Sequence, residues 1–267
     1  MAHHLGTPTT STVWAEVCND LIHRLCTLFP ENFIGVCQLP QAPDASPANC
    51  VGELRRCVEQ LGFVGRDLSP HFSGGYWKEV PLTGKFWQPF YEEMMRLDVR
   101  AMIHLSSPCN PAAHTTGAHF INGDTTASMQ FLLGDLFRDF PTLCFVIPYG
   151  CGAVPYHLGR YRGLSLEQAK RPLESILNNV FFRHERVSHA RIELLASVLP
   201  VDNILFGSEI IGAITGRNPY TERYFDDTKL HVDTLSKLSN EDRRKIFEGN
   251  ARRVYPRLNQ ALNACGR

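Results

Sequence analysis

Six short runs of apolar residues recur along this chain, and a segment that favours a helix follows each run. The runs are apolar almost throughout and do not alternate with polar residues, which is typical of strands buried on both faces of a parallel sheet. We predict strands at 32–39, 62–68, 99–105, 143–148, 179–184 and 203–206. This β/α alternation indicates an α/β fold of the (β/α)-barrel type, in which polar site residues follow the carboxyl ends of the strands.

Helices are predicted where apolar residues recur at spacings of three or four. In the first helix, Thr12–Leu28, these residues form one stripe, which consists of Val13, Val17, Leu21, Leu25 and Leu28. The further helices are predicted at 50–61, 85–97, 165–176, 189–199, 226–238 and 240–255. One more amphipathic helix follows a polar loop over 106–124 and ends near Phe137.

The number of β/α units bears on the completeness of the barrel. A closed barrel of this type has eight units, and the sequence provides six. Because the chain begins with a loop and a helix, the two further units are expected before Met1. No linker divides residues 1–267, so we predict a single domain. An incomplete barrel leaves two edge strands and an open interior, so a homo-oligomer is expected.

The overall charge and the cysteines indicate which class of partner this chain binds and in which cell compartment it is found. Lys and Arg together number 27, as do Asp and Glu, so no global field attracts nucleic acid or an anionic membrane. A small molecule is therefore the expected partner. The nine cysteines include no C-x-x-C pair, and no apolar window is as long as a membrane span. These features predict reduced thiols in a cytoplasmic protein.

The fourth strand leads into a glycine-rich turn with many polar side chains, over residues 146–163. Glycines at 150 and 152 permit a positive φ or a close backbone approach. His157, Arg160 and Arg162 follow and can face one cleft, as in an active-site loop. An ordinary strand-to-helix connection with a basic surface remains an alternative interpretation.

Several stretches carry a resemblance to a known family. They are NDLIHRLCTLFPENFIGVCQLPQ (19–41), SGGYW (73–77), HTTGAHFIN (114–122), LFRDFPTL (136–143), GAVPYHLGRYRG (152–163), PVDNILFGSE (200–209) and FEGNARRVYPRL (247–258). In these stretches the chain resembles the amidohydrolase superfamily, in its branch of decarboxylases and hydratases. The resemblance implies a distorted (β/α)8 barrel with a divalent metal, usually zinc, at the carboxyl ends of the strands.

The resemblance also implies which residues hold the metal. The family takes ligands from an H-x-H pair on the first strand, a histidine on a middle strand and an acidic residue after the last strand. His104 matches the middle-strand histidine, and Glu209 matches the acidic residue, either as a ligand or as the base beside the metal. The sequence departs from the family twice. It has no H-x-H strand, because His3 and His4 lack that spacing, and Tyr149 stands where relatives carry a histidine.

The reaction implied by the resemblance is reversible addition of water to the double bond of an unsaturated, oxalyl-bearing tricarboxylate from aromatic-acid breakdown, as of protocatechuate or gallate. Glu209 would take or hold a proton, and Tyr149 can donate one. Arginine suits carboxylates because it can bind them bidentately. The residues expected to contact the substrate are Cys109, Asn122, His157, Arg160 and Arg162.

Three functions remain open from the sequence. The first is a hydratase-like metalloenzyme. The second is a catalytically degenerate homologue that keeps only a carboxylate-binding cleft. The third is a decarboxylase of the same branch. Because catalytic zinc usually takes three protein ligands and only His104 and Glu209 are recognisable, we predict substoichiometric zinc in the purified chain.

Overall fold

The computed structural model describes residues 5–168, 170, 172–184, 189–209, 214–225, 227–264 and 266. Within these residues six parallel strands form one sheet, and each strand pairs with the next along the chain. They are β1 (Val36–Cys37), β2 (Gly65–Leu68), β3 (Arg100–Ile103), β4 (Phe145–Ile147), β5 (Val180–His184) and β6 (Ile204–Phe206). All six predicted strands are confirmed, with shorter bounds. His3 and His4 lie outside the described residues.

Helices connect the strands and cover one side of the sheet. They are α1 (Pro8–Leu28), α2 (Val51–Arg55), α3 (Gln88–Arg96), α4 (Phe120–Leu133), α5 (Leu136–Asp139), α6 (Leu158–Glu167), α7 (Leu173–Ile176), α8 (His189–Val198), α9 (Thr228–Thr234), α10 (Asn240–Arg244), α11 (Asn250–Val254) and α12 (Pro256–Ala264). Short 3₁₀ or π turns extend several of them, at 47–50, 56–60, 85–87, 115–119, 154–157 and 245–249. No helix in the described ranges is long and apolar enough to cross a membrane.

Most strand residues are buried, as their apolar character predicts, but Val36, Asp67, Met102 and Arg183, which share one side of the sheet, are only half-buried. A cavity of about 390 Å³ is lined by a side chain from every strand, so the sheet curves around it. We call this side the inner face; its residues include Val36, Asp67, Met102, Val146, Arg183 and Leu205. The other side, the outer face, packs against the helices and forms the main apolar core. Alternation along each strand therefore decides which side a residue reaches.

Two predicted helix boundaries are wrong, in segments that flank the site. The loop expected over 106–124 is shorter, because a helical turn begins at 115, where the His114 ring nitrogen accepts a hydrogen bond from the Gly117 amide at 2.9 Å. The helix expected at 165–176 instead begins at Leu158, and α7 is separate. A 3₁₀ turn containing Pro155 leads into α6. As a result, residues 158–162 are helical.

Helix α1 buries its polar side and exposes its apolar stripe. Asn19 is buried, and its side chain donates to the Gln38 carbonyl at 2.9 Å and to Glu53 Oε1 at 2.7 Å. The predicted stripe lies on the opposite side, and its residues are between 49% and 59% exposed. The satisfied amide of Asn19 thus sets the orientation of α1, because burying it unpaired would be costly.

Candidate functional site

Five polar side chains come from the ends of five successive strands. They are Asp67, His104, Tyr149, Arg183 and Glu209, on β2 to β6 or within three residues after them. Because the carboxyl ends of parallel strands meet at one edge, these side chains lie at the same edge of the sheet. We call them the carboxyl-edge cluster. This is where the fold predicts an active site.

The hydroxyl of Tyr149 donates a hydrogen bond to Glu209 Oε1 at 3.0 Å. Both residues have a left-handed backbone, with φ of 49° and 47°. The Tyr149 ring stacks on Phe120 with centroids 5.7 Å apart, and Phe120 in turn meets the ring of His104 edge-on at 5.7 Å. Non-glycine residues in this conformation are held there by their surroundings, and such sites are often functional.

Asp67 lies among cations at this edge. Loss of hydration raises the pKa of its carboxyl, and the charges of His104, Arg183 and Arg66 oppose that rise. Among the described residues its Oδ1 has no hydrogen-bond partner. The sequence reasoning missed Asp67. The available signal was a charged pair, Arg66 and Asp67, inside an otherwise apolar run.

His104 keeps one ring nitrogen available for the site. Its Nδ1 lies 3.0 Å from the Leu105 carbonyl oxygen, which assigns the proton to Nδ1 and leaves Nε2 as an acceptor or a metal ligand. Within the described ranges, however, no three His, Cys, Asp or Glu side chains are placed to hold a metal ion. Catalytic zinc usually needs three such ligands. The described residues therefore do not form a three-ligand metal site.

The loops after the first three strands enclose a second cavity, of about 550 Å³. Its lining includes Cys109, one of the predicted substrate residues, together with Lys78 and Tyr76. The Cys109 thiol lies 3.3 Å from the Gly74 carbonyl oxygen. The role of Cys109 in binding remains a prediction.

The other predicted substrate residues lie away from these contacts. His157 and Arg160 are exposed, at the start of α6, and Asn122 is exposed in the first turn of α4. Arg162 pairs with Glu174 at 2.6 Å, and both line an apolar cavity of about 300 Å³ beside the outer face. The structure therefore brings Tyr149 and Glu209 together and places Arg162 elsewhere.

Comparisons with known proteins identify the family of this chain. A family model described as amidohydrolase matches residues 1–257. The 2-keto-4-carboxy-3-hexenedioate hydratase of Sphingobium sp. SYK-6 is 53% identical in an alignment 268 residues long, which covers 100% of this chain and 78% of that protein. The crystal structure of 4-oxalomesaconate hydratase from Rhodopseudomonas palustris matches with a TM-score of 0.91 and 50% identity, over 98% of this chain and 77% of that one.

A more distant structure shares the fold alone. It is dihydroxybenzoic acid decarboxylase from Polaromonas sp. JS666, with bound manganese and an inhibitor. Its TM-score is 0.74 at 22% identity, over 96% of this chain and 77% of that one. That decarboxylase structure holds a divalent metal, manganese. The predicted (β/α)-barrel class and the predicted resemblance are both confirmed, and the chain belongs to the amidohydrolase family.

Proposed function

We propose that the chain is a hydratase-type lyase, which adds water to the double bond of an unsaturated, oxalyl-bearing tricarboxylate in aromatic-acid catabolism. The hydrogen bond between Tyr149 and Glu209 at the carboxyl edge carries this proposal. High identity to two hydratases supports it, since the decarboxylase is much less similar. Residues 1–267 would act as one domain.

Addition of water to a double bond needs a group that accepts a proton from the water and a group that donates a proton to the other carbon. The Glu209 carboxylate accepts a proton from water as the new C–O bond forms. The Tyr149 hydroxyl fixes Glu209 through its hydrogen bond and can pass a proton to the substrate. His104, with Nε2 facing away from its backbone bond, can accept a hydrogen bond beside them.

The carboxylates of the substrate require cations. Arg183 points into the inner cavity next to Asp67, and Lys78 lines the 550 Å³ cavity formed by the neighbouring loops. We propose Arg183 as the main carboxylate-binding residue, because a guanidinium at a partly buried site binds carboxylates with charge-assisted hydrogen bonds. The predicted roles of Asn122, His157, Arg160 and Arg162 remain to be tested by substitution.

Zinc is the metal proposed for this chain, held by His104 and Glu209. Because the described residues offer no three-ligand set, we expect substoichiometric zinc in the protein purified without added metal. Elemental analysis measures this ratio. Tight one-to-one zinc would contradict the expectation.

Product mass tests the proposed reaction. The purified chain is incubated with the unsaturated tricarboxylate, and the product is followed by mass spectrometry. Hydration raises the substrate mass by one water, whereas loss of one carbon dioxide would show the alternative decarboxylase activity. An unchanged substrate that still binds would support a degenerate carboxylate-binding homologue.

We also propose a cytoplasmic homodimer that buries the exposed apolar stripe of α1. The eight described cysteines are all free, which is consistent with a reducing compartment. The half-exposed apolar residues of α1 and the following turn are Val13, Trp14, Val17, Leu21, Leu25, Leu28, Phe29 and Phe33. Together they expose roughly 800 Å², the area per partner in a stable interface.

Charges beside this stripe favour an antiparallel pair of α1 helices. A two-fold axis at Leu21 would place Arg24 of one copy within a turn of Glu16 of the other. Neither side chain forms an ion pair within the described residues. Light scattering after size-exclusion chromatography should give a molecular mass of twice 30.1 kDa. Leu21→Lys should give a monomer and the control Thr27→Lys a dimer; a monomeric wild type would contradict the proposal.

A further inference from the structure

The turn after β4 has an unusual backbone. Four successive residues have φ in the left-handed region: Tyr149 at 49°, Gly150 at 58°, Cys151 at 65° and Gly152 at 59°. Glycine adopts this conformation freely, but Tyr149 and Cys151 each incur a cost of about 1 kcal/mol or more. Surrounding contacts must therefore hold the turn in its shape.

Arg191, in the first turn of α8, joins the two ends of this turn. One of its terminal nitrogens, Nη2, donates to the Tyr149 carbonyl at 2.6 Å and to the Gly152 carbonyl at 2.7 Å. Its guanidinium also lies 5.6 Å from the ring centre of Tyr156. Arg191 is 42 residues away from Tyr149 in sequence, so a separate element holds the turn closed.

Helix α4 holds the opposite side of the same turn. The Thr125 hydroxyl accepts a hydrogen bond from the Ala153 amide at 2.9 Å, and Ser128 Oγ lies 2.9 Å from the Cys151 sulfur. A Cβ added to Gly152 would come within 2.3 Å of the Ile121 carbonyl oxygen. The turn is thus fixed between α4 and α8, and it has no room to shift toward α4.

We infer that Arg191 is a positioning residue, which sets the place of the Tyr149 hydroxyl by binding the Tyr149 and Gly152 carbonyls. The inference rests on the proposed function, in which that hydroxyl orients Glu209. Arg191 does not contact the carboxylate of Glu209 in the described interactions; it acts through the backbone of the turn. Its loss would therefore slow the chemical step without weakening substrate binding.

Kinetics of Arg191→Met measure this effect. A misplacement of about 1 Å can lower the rate about 100-fold, so we expect kcat to fall about 30- to 100-fold and KM to change less than threefold. Arg191→Lys, which keeps one cationic donor, should recover part of kcat. The matched control is Arg244→Met, since Arg244 is exposed on α10. A kcat within about threefold of wild type for Arg191→Met would overturn the inference.

A double-mutant cycle separates positioning from a general structural role. If Arg191 acts through the Tyr149 hydroxyl, Arg191→Met should lower kcat less than about threefold once Tyr149→Phe has removed that hydroxyl. An equal fall in both backgrounds would overturn the inference.

Hydrogen exchange tests the positioning role of Arg191 without an activity measurement. In Arg191→Met, amides of the peptide covering residues 149–153 should exchange at least tenfold faster than in wild type, while those of α1 keep their rates. Unchanged exchange at 149–153 overturns the inference even if the enzyme proves to be a hydratase. Faster exchange together with an inactive wild type would instead contradict the proposed function and leave Arg191 as the residue that holds the turn.

Discussion

Strands β2 and β5 each carry two neighbouring charged or titratable residues, and in each pair the two residues reach opposite faces. Asp67 and Arg183 line the inner cavity, where their charges interact. Arg66 and His184 point to the outer face and are fully buried. A charge within an apolar strand therefore does not by itself indicate a site. The face that it reaches, set by the two-residue period of the strand, separates site residues from core residues.

The outer pair lies in a setting that disfavours its charge. Burial lowers the pKa of Arg66 to about 10, and its guanidinium lies 4.3 Å from the ring centre of Phe90 and contacts the sulfur of Met94. Burial also lowers the pKa of His184 to about 4, with smaller effects from Arg183 and His231. Neither ring nitrogen of His184 has a hydrogen-bond partner among the described residues. Both groups should reduce stability rather than support catalysis.

The largest difference between the faces should come from Arg183→Met. It removes the proposed carboxylate partner and one of the cations around Asp67, so we expect kcat/KM to fall about 100- to 1,000-fold. Steady-state kinetics measure this loss, with thermal unfolding as the check on folding. Arg66→Met on the other face is the matched variant. Activity of Arg183→Met within threefold of wild type would show that the inner pair is not part of the site.

The second prediction is that His184, on the outer face, makes the stability of the protein depend on pH. The folded-state pKa of His184 is about 4, below its ordinary value of about 6.5, so the unfolded chain binds a proton first as the pH falls. The free energy of unfolding should therefore decrease by about 3 kcal/mol between pH 7 and pH 4 because of this group, and this loss should level off below pH 4.

Urea unfolding of wild type and His184→Leu over this range measures the contribution. The variant should lack this part of the decrease, so the free energy of unfolding of wild type minus that of the variant should fall by about 3 kcal/mol between pH 7 and pH 4. Curves that stay parallel would show that His184 is not held neutral by the outer core.

The smallest expected effect is that of Arg66→Met. Replacing a buried charge by an apolar side chain of similar length is often neutral or stabilising, so we expect the free energy of unfolding to rise by about 1–2 kcal/mol. Activity should stay within about twofold of wild type. Chemical denaturation and kinetics measure the two quantities. A large loss of activity in Arg66→Met would contradict the distinction between an inner face that serves the site and an outer face that does not.

The strands of this fold could be predicted from the sequence, but the residues of the site could be predicted only in part. Continuous apolar runs mark buried strands, and His104 and Glu209 stand where strands end. The position of Arg162 could not be foreseen, because it depends on α6 starting at Leu158. Asp67 was missed for a similar reason: only pairing across the sheet shows that it meets Arg183, 116 residues later.

Helix α1 is a second example of a feature that a local sequence pattern predicts only in part. Its periodicity gives the apolar stripe correctly, but not the direction in which the stripe faces. That direction depends on Asn19 binding the Gln38 carbonyl and Glu53, and neither contact is visible in the spacing of the helix itself. The hydrogen bonds of one buried amide to distant residues therefore determine the orientation of α1, and the local hydrophobic pattern does not.

The hydration rate of Glu209→Gln tests the site most directly. This variant keeps the size of the side chain and can still accept the hydrogen bond from Tyr149, but it cannot accept a proton. With Glu167→Gln as the control, since Glu167 is exposed on α6, kcat of Glu209→Gln should be at least about 100-fold lower than that of wild type. A variant that hydrates the tricarboxylate at the wild-type rate would contradict the assignment of Glu209 as the proton acceptor.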